Sequence, residues 1–138
     1  MELINITDLS KSYGKTVVLH GLSVAYQSGM IYGLAGENGA GKTTLFNCIM
    51  GLTGYDGSID KASGISIGYL PAETHFYSLI TGYEYLDFCI KAKGKKINRA
   101  RVEEANKMFQ LPLHRYASEY STGMKKKLAL MALLLQDN

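Results

Sequence analysis

Cysteine is scarce in this 138-residue chain: Cys48 and Cys89 stand alone, without the paired spacing of a metal site or a redox motif. That excludes a disulfide scaffold and suits a reducing compartment. The longest apolar stretch, Leu128 to Leu135, falls far short of the roughly 18–20 residues that a bilayer-spanning helix needs. Met1-Glu2-Leu3-Ile4-Asn5 has neither a basic head nor an apolar core, so no secretory leader is expected there. Internal repeats and low-complexity tracts are missing too. What is present, 46% hydrophobic and 20% charged residues, predicts a folded, soluble chain rather than a disordered tail. Its length leaves room for one domain, burying roughly two thirds of the unfolded surface.

Charge is unevenly spread. Residues 1–90 carry four lysines against eight acids, and residues 91–138 carry eleven basic residues against four acids. The two nets, −4 and +7, give the overall +3. A basic second half can meet a polyanion or an anionic membrane surface, or it can be a solvated helical face. Arg99, Arg101 and Lys107 interleave with Glu103 and Glu104, and no base-stacking aromatic sits among these cations. The solvated face is the simpler reading, and a nucleic-acid partner is not expected.

Along the chain, residues 3–9, 16–20 and 22–27 read as strands, with Ser10 to Lys15 as a turn. Met30-Ile31-Tyr32-Gly33-Leu34-Ala35 is almost wholly apolar, which predicts a strand buried on both faces. Lys42 to Met50 reads as a helix ending at Gly51, and 57–60 with 65–70 as a hairpin. After Pro71 the pattern turns helical. Thr81 and Glu84 form a capping box ahead of Tyr83, Leu86 and Ile90. Asn98 caps a second helix with Val102, Ala105, Met108 and Phe109 inward, and Ser121 a third with Met124, Leu128, Met131 and Leu135 inward.

Glycine is in excess, 15 of 138, and three of these crowd one segment. Gly36-Glu37-Asn38-Gly39-Ala40-Gly41-Lys42-Thr43 matches G-x-x-x-x-G-K-[ST] without a gap. Its glycines let successive backbone N–H groups point inward at phosphate oxygens, and the following helix offers its positive dipole end to them. Lys42 can place an ammonium on the β and γ phosphates, and the Thr43 hydroxyl can complete the shell of a magnesium ion. Four fixed positions match by chance in about 0.5% of chains this long. A strand pattern before the loop and a helix after it strengthen the match, so nucleotide binding is the firmest functional reading.

Three further segments stand in order around this cradle: Leu9-Ser10-Lys11-Ser12-Tyr13-Gly14, Ile67-Gly68-Tyr69-Leu70-Pro71 and Ser121-Thr122-Gly123-Met124-Lys125. With it, they make Met1 to Leu135 resemble the N-terminal part of an ATP-binding cassette (ABC) transporter ATPase, of prokaryotic exporter-like type. The resemblance implies an α/β P-loop NTPase of ABC type, cut before the Walker B strand. Residues 1–71 would be a β-rich nucleotide-binding part, antiparallel strands first and then the P-loop strand and helix. Residues 72–138 would be a helical subdomain ending in the signature helix.

The resemblance also implies roles. Tyr13 would stack on adenine, although an ordinary surface tyrosine reads the same in sequence. Gly36, Glu37, Asn38, Gly39, Ala40, Gly41, Lys42, Thr43 and Thr44 would hold ATP, with Thr43 on Mg2+. Ser121, Thr122 and Gly123 would face the γ-phosphate held by a second copy in a head-to-tail dimer. On its own, Ser-x-Gly opening a helix is either an anion site or no more than a cap. The implied partner is a membrane-spanning transporter subunit, which places the chain in the cytoplasm on the inner face of the membrane. Tyr77, Tyr83 and Tyr85 are candidate contacts with that subunit, or core residues.

Departures from the pattern are specific. Ala72 stands where the family offers a Gln-loop amide, and the neighbouring Glu73 could substitute for it only with an added charge and a shorter-range fit. After Gln136-Asp137-Asn138 the family would continue with a magnesium-orienting Asp, a catalytic Glu and a sensing His; His20, His75 and His114 match no such slot. No catalytic residue is therefore assigned here. Hydrolysis is expected of a full-length parent, and this chain is expected to be a piece that binds nucleotide without turnover. A guanine-binding relative would need N-K-x-D, and Asn106-Lys107-Met108-Phe109 puts Phe109 in the place of the Asp.

Overall fold

The computed structural model describes residues 1–37, 39 and 41–136, in two units, Met1–Ile67 and Gly68–Asn138. In the first unit, strands β1 (Glu2–Tyr13) and β2 (Thr16–Gln27) form one long antiparallel hairpin. Tyr13 pairs with Thr16, and Gly14 at φ +61 makes the turn. Ser10 to Tyr13 is thus strand rather than turn, and Gly21 does not divide β2 in two.

Two bulges explain the difference. Between Ile6 and Leu9, β1 carries one residue more than β2 does between Val24 and Leu22. Asp8 takes φ +49 there, and its amide donates to Ser23 Oγ at 2.9 Å. Between Leu9 and Lys11 the surplus residue lies on β2, where Gly21 takes φ +63 and its amide donates to Ser10 Oγ at 2.9 Å. A serine on the facing strand thus receives each amide that the bulge takes out of the ladder. The first bulge also resets the alternation, so Ile6 and Leu9, three apart, both reach the core.

Strand β3 (Asp56–Lys61) pairs antiparallel on the other side of β1, giving the order β2-β1-β3. Gly57, at φ +96, is required there because a Cβ would overlap the Thr7 and Asp8 carbonyl oxygens. Helix α1 (Lys42–Ile49) sets Leu45, Cys48 and Ile49 against Ile6, Leu9 and Leu19. The predicted 65–70 strand is not formed, so β3 has no hairpin partner there. Nor is Met30 to Ala35 a buried strand: Ile31 is 98% exposed, and Met30, Tyr32 and Leu34 are also open. Such a strand needs partners on both edges, and among the described residues none pairs with it.

The second unit holds α2 (Gly82–Ala92), α3 (Arg99–Phe109), a short 3-10 turn (Ala117–Glu119) and α4 (Thr122–Gln136). Leu128, Met131, Ala132 and Leu135 of α4 pack against Leu86 and Ile90 of α2 and Val102 and Phe109 of α3. Burying a leucine such as Leu86 or Leu128 contributes about 2–3 kcal/mol. The ion pairs Lys91–Asp87, Lys107–Glu104 and Arg115–Glu119, at 2.7, 2.6 and 3.3 Å, lie partly or largely in solvent. Pairs of that kind contribute about 0–1 kcal/mol each, so apolar packing decides this unit. Met108 is 81% exposed and not part of the inward stripe, because it lies about 120° around the helix from Val102.

Each of these helices begins on a predicted cap. Thr81 Oγ1 accepts from the Glu84 amide at 3.1 Å while Glu84 Oε2 accepts from the Thr81 amide at 2.8 Å. Asn98 Oδ1 accepts from the Ala100 and Arg101 amides, and Ser121 Oγ from the Met124 amide at 3.2 Å. Thr81→Ala is expected to cost about 1 kcal/mol in urea denaturation. A change within error would show that the box contributes nothing.

Candidate functional site

The cradle begins where the open 30–35 run reaches Gly36, and it closes into α1. Gly39 sits at φ +87 and Gly41 at φ +98. Both conformations are strained for any residue with a side chain. Gly41 is also the N-cap of α1, where it supplies no side-chain hydrogen bond, and no acid occupies the first turn. Among the described residues no side chain caps the amides of that turn, in contrast to α2, α3 and α4 with their capping side chains. The Lys42 ammonium folds back across the loop and donates to the Gly36 carbonyl oxygen.

Glu37 and Thr43 are exposed, and Lys42 and Thr44 are half-buried. Asn38 and Ala40 lie outside the described residues. Behind the loop the structure adds residues that no motif singled out. A Cβ on Gly41 would come within 3.0 Å of Val18 Cγ1 and 3.1 Å of Leu19 Cδ2, so β2 backs the cradle directly. A cavity of about 400 Å3 lies there, walled by Leu19, Leu22, Leu34, Leu45 and Lys42.

Tyr13, at the end of β1, is half exposed, with Lys11 Nζ 5.1 Å from its ring centroid. In the second unit, Ser121, Thr122 and Gly123 are all exposed at the start of α4, and a Cβ on Gly123 would meet open space. Ser121 is a true helix cap. Ala72 and Glu73 are exposed, and Glu73 lies 3.8 Å from His75. Of the tyrosines, Tyr77 is 75% exposed whereas Tyr83 and Tyr85 pack against the core.

Other chemistries find no support. Burial pushes the Cys48 thiol up, partly offset by the Lys11 charge, and pushes the Cys89 thiol up, partly offset by the Tyr85 hydroxyl. Thiols held protonated in this way are poor nucleophiles. The Asn106 side chain is engaged by Leu111, accepting from its amide at 2.9 Å and donating to its carbonyl at 3.0 Å. It clamps a loop rather than reading a base. Among the described residues no cluster of His, Cys, Asp or Glu could hold a metal ion, and no helix is long and apolar enough to cross a membrane.

A sequence model described as "ABC transporter" matches residues 19–138. The chain belongs to this family. Among curated relatives of this ABC chain is the bacitracin transport ATP-binding protein BcrA of Enterococcus faecalis, 32% identical over 98% of the chain and 48% of the relative. Another is the SkfA peptide export ATP-binding protein SkfE of Bacillus subtilis, 30% identical over 99% of the chain and 63% of the relative. The chain spans about half the length of the first curated relatives it matches. An ABC transporter ATP-binding protein from Pyrococcus furiosus superposes with a TM-score of 0.85 at 28% identity, covering 96% of this chain and 70% of that one. A second solved ATP-binding subunit of an ABC transporter gives 0.81 at 27% identity, over 97% and 62%. The fold is that of an ABC-type P-loop NTPase, in a family of ATP-binding subunits that are generally ATPases and work with membrane transporter subunits.

Proposed function

We propose that this chain is the leading part of the ATP-binding subunit of an ABC transporter and binds Mg-ATP through Gly36 to Thr44. One observation carries the reading: two left-handed glycines lead into a helix whose first turn has no side-chain cap, beneath a lysine folded across the loop. That is a set of hydrogen-bond donors with a cation beside it, suited to a polyphosphate.

On this reading the first-turn amides and Lys42 bind the β and γ phosphates. The exposed Thr43 hydroxyl would hold magnesium, which neutralises phosphate charge when bound. Tyr13 stacks on the adenine. Ser121, Thr122 and Gly123 offer the start of α4 to the nucleotide of a second copy, in a head-to-tail dimer. The complete protein hydrolyses ATP and drives a membrane-spanning partner from the inner face of the membrane. Residues 1–71 form the part that holds the nucleotide, and within the helical subdomain 72–138 the helices between Leu79 and Phe109 dock on the partner. Ala72 favours a second reading, a binding module with weakened hydrolysis, because a methyl group can neither orient water nor touch magnesium.

Calorimetry with two ligands tests the assignment. Tyr13→Ala is expected to weaken ATP by roughly tenfold, matching about 1–2 kcal/mol for ring-on-base stacking, while pyrophosphate is unaffected. Equal losses for both ligands would remove Tyr13 from the site.

A further inference from the structure

Between Lys91 and Arg101 stand six cations, Lys91, Lys93, Lys95, Lys96, Arg99 and Arg101, and no acid. On an ordinary solvated face the signs alternate, as Glu104 and Lys107 do further along α3. Here they do not. Three of the six are engaged: Lys91 by Asp87 at 2.7 Å, Lys95 by the Gln136 carbonyl at 2.8 Å, and Arg99 above the Tyr83 ring. Lys93, Lys96 and Arg101 are exposed and form no ion pair among the described residues.

The chain turns at Gly94, φ +71, so these cations ring the junction of α2 and α3. Beneath them is a cavity of about 220 Å3 with Ile90, Val102 and Leu135 in its floor and Lys95, Lys96 and Arg101 around it.

We infer that this α2–α3 corner docks on the phosphate headgroups of an anionic membrane surface. The choice of a membrane rests on the membrane-coupled role proposed above. The chemistry agrees with it: lysines outnumber arginines four to two, and compact ammonium charges suit a diffuse headgroup layer better than bidentate base reading. No aromatic residue lies between Lys91 and Arg101 to stack on a base, and the nearby Tyr83 ring is covered by Arg99. Clusters of four to eight lysines and arginines are what draw such segments to anionic headgroups.

The test is co-sedimentation of the full chain with vesicles of phosphatidylcholine alone or mixed equally with phosphatidylglycerol. Binding is expected on the mixed vesicles only and is expected to fall as salt rises. Each neutralised lysine or arginine should weaken it about fivefold, so Lys93→Gln, Lys96→Gln and Arg101→Gln together should lose roughly a hundredfold. ATP affinity of that triple variant should be unchanged, and Lys42→Ala should lose ATP but not vesicles, which separates this surface from the cradle. Lys93→Gln alone, with about a fivefold loss, covers the case in which the triple variant does not fold. Equal binding to both vesicles, a triple variant that binds as well as the unaltered chain, or tighter binding of polyglutamate or DNA would overturn the inference.

Discussion

Lys42→Ala is expected to reduce ATP affinity by roughly a hundredfold or more, since on the proposed reading the ammonium bonds both the β and γ phosphates and hydrogen bonds to charged groups are worth about 1.5–3 kcal/mol each. Alanine is a strong helix former, so α1 should persist, and the thermal midpoint should move little. The loss therefore reports phosphate binding rather than folding. The substitution also removes the contact from Lys42 to the Gly36 carbonyl across the loop. An affinity unchanged in calorimetry would remove the cradle, and with it the functional reading.

Gly41→Val should be nearly as damaging, for a different reason. A β-branched residue at φ +98 is strained by about 1–3 kcal/mol. Its side chain would also run into Val18 and Leu19, where the bare Cβ already comes within 3.0–3.1 Å, adding about 1–3 kcal/mol of overpacking. Together these predict about 2–6 kcal/mol of lost stability in urea denaturation, with ATP binding lost in step. Gly39 is the internal comparison. It has a similar φ of +87 but nothing within 4 Å of its Cβ, so Gly39→Ala should carry only the conformational part, about 1–2 kcal/mol. Equal effects at the two glycines would show that β2 does not back the loop.

Expectations from sequence held where the interaction is local. Thr81 with Glu84, Asn98 with Arg101 and Ser121 with Met124 all lie three residues apart, and all three caps form. The stripes Leu86–Ile90 and Leu128–Met131–Leu135 follow from helical spacing and are buried. Met108 escaped because a stripe drawn one residue too wide reaches around to solvent. Asn106 shows another limit. A motif search reads Asn-Lys as half of a base reader, whereas the side chain is spent on the Leu111 backbone.

The amino-acid order alone was enough for the cradle: glycines at fixed steps, a lysine and a threonine at the head of a helix, all within nine residues and dependent on nothing remote. Tertiary structure decided what depends on partners distant in the chain. Which strand carries each bulge, and so whether Leu9 faces inward, is settled across the hairpin by Ser23 and Ser10. Whether Met30 to Ala35 is covered depends on strand partners remote in the chain, and among the described residues none pairs with it. That Val18 stands behind Gly41 follows from the fold of β2 over α1. Helical spacing and caps act within about four residues and can be read directly, but pairing register and burial are set by contacts tens of residues apart.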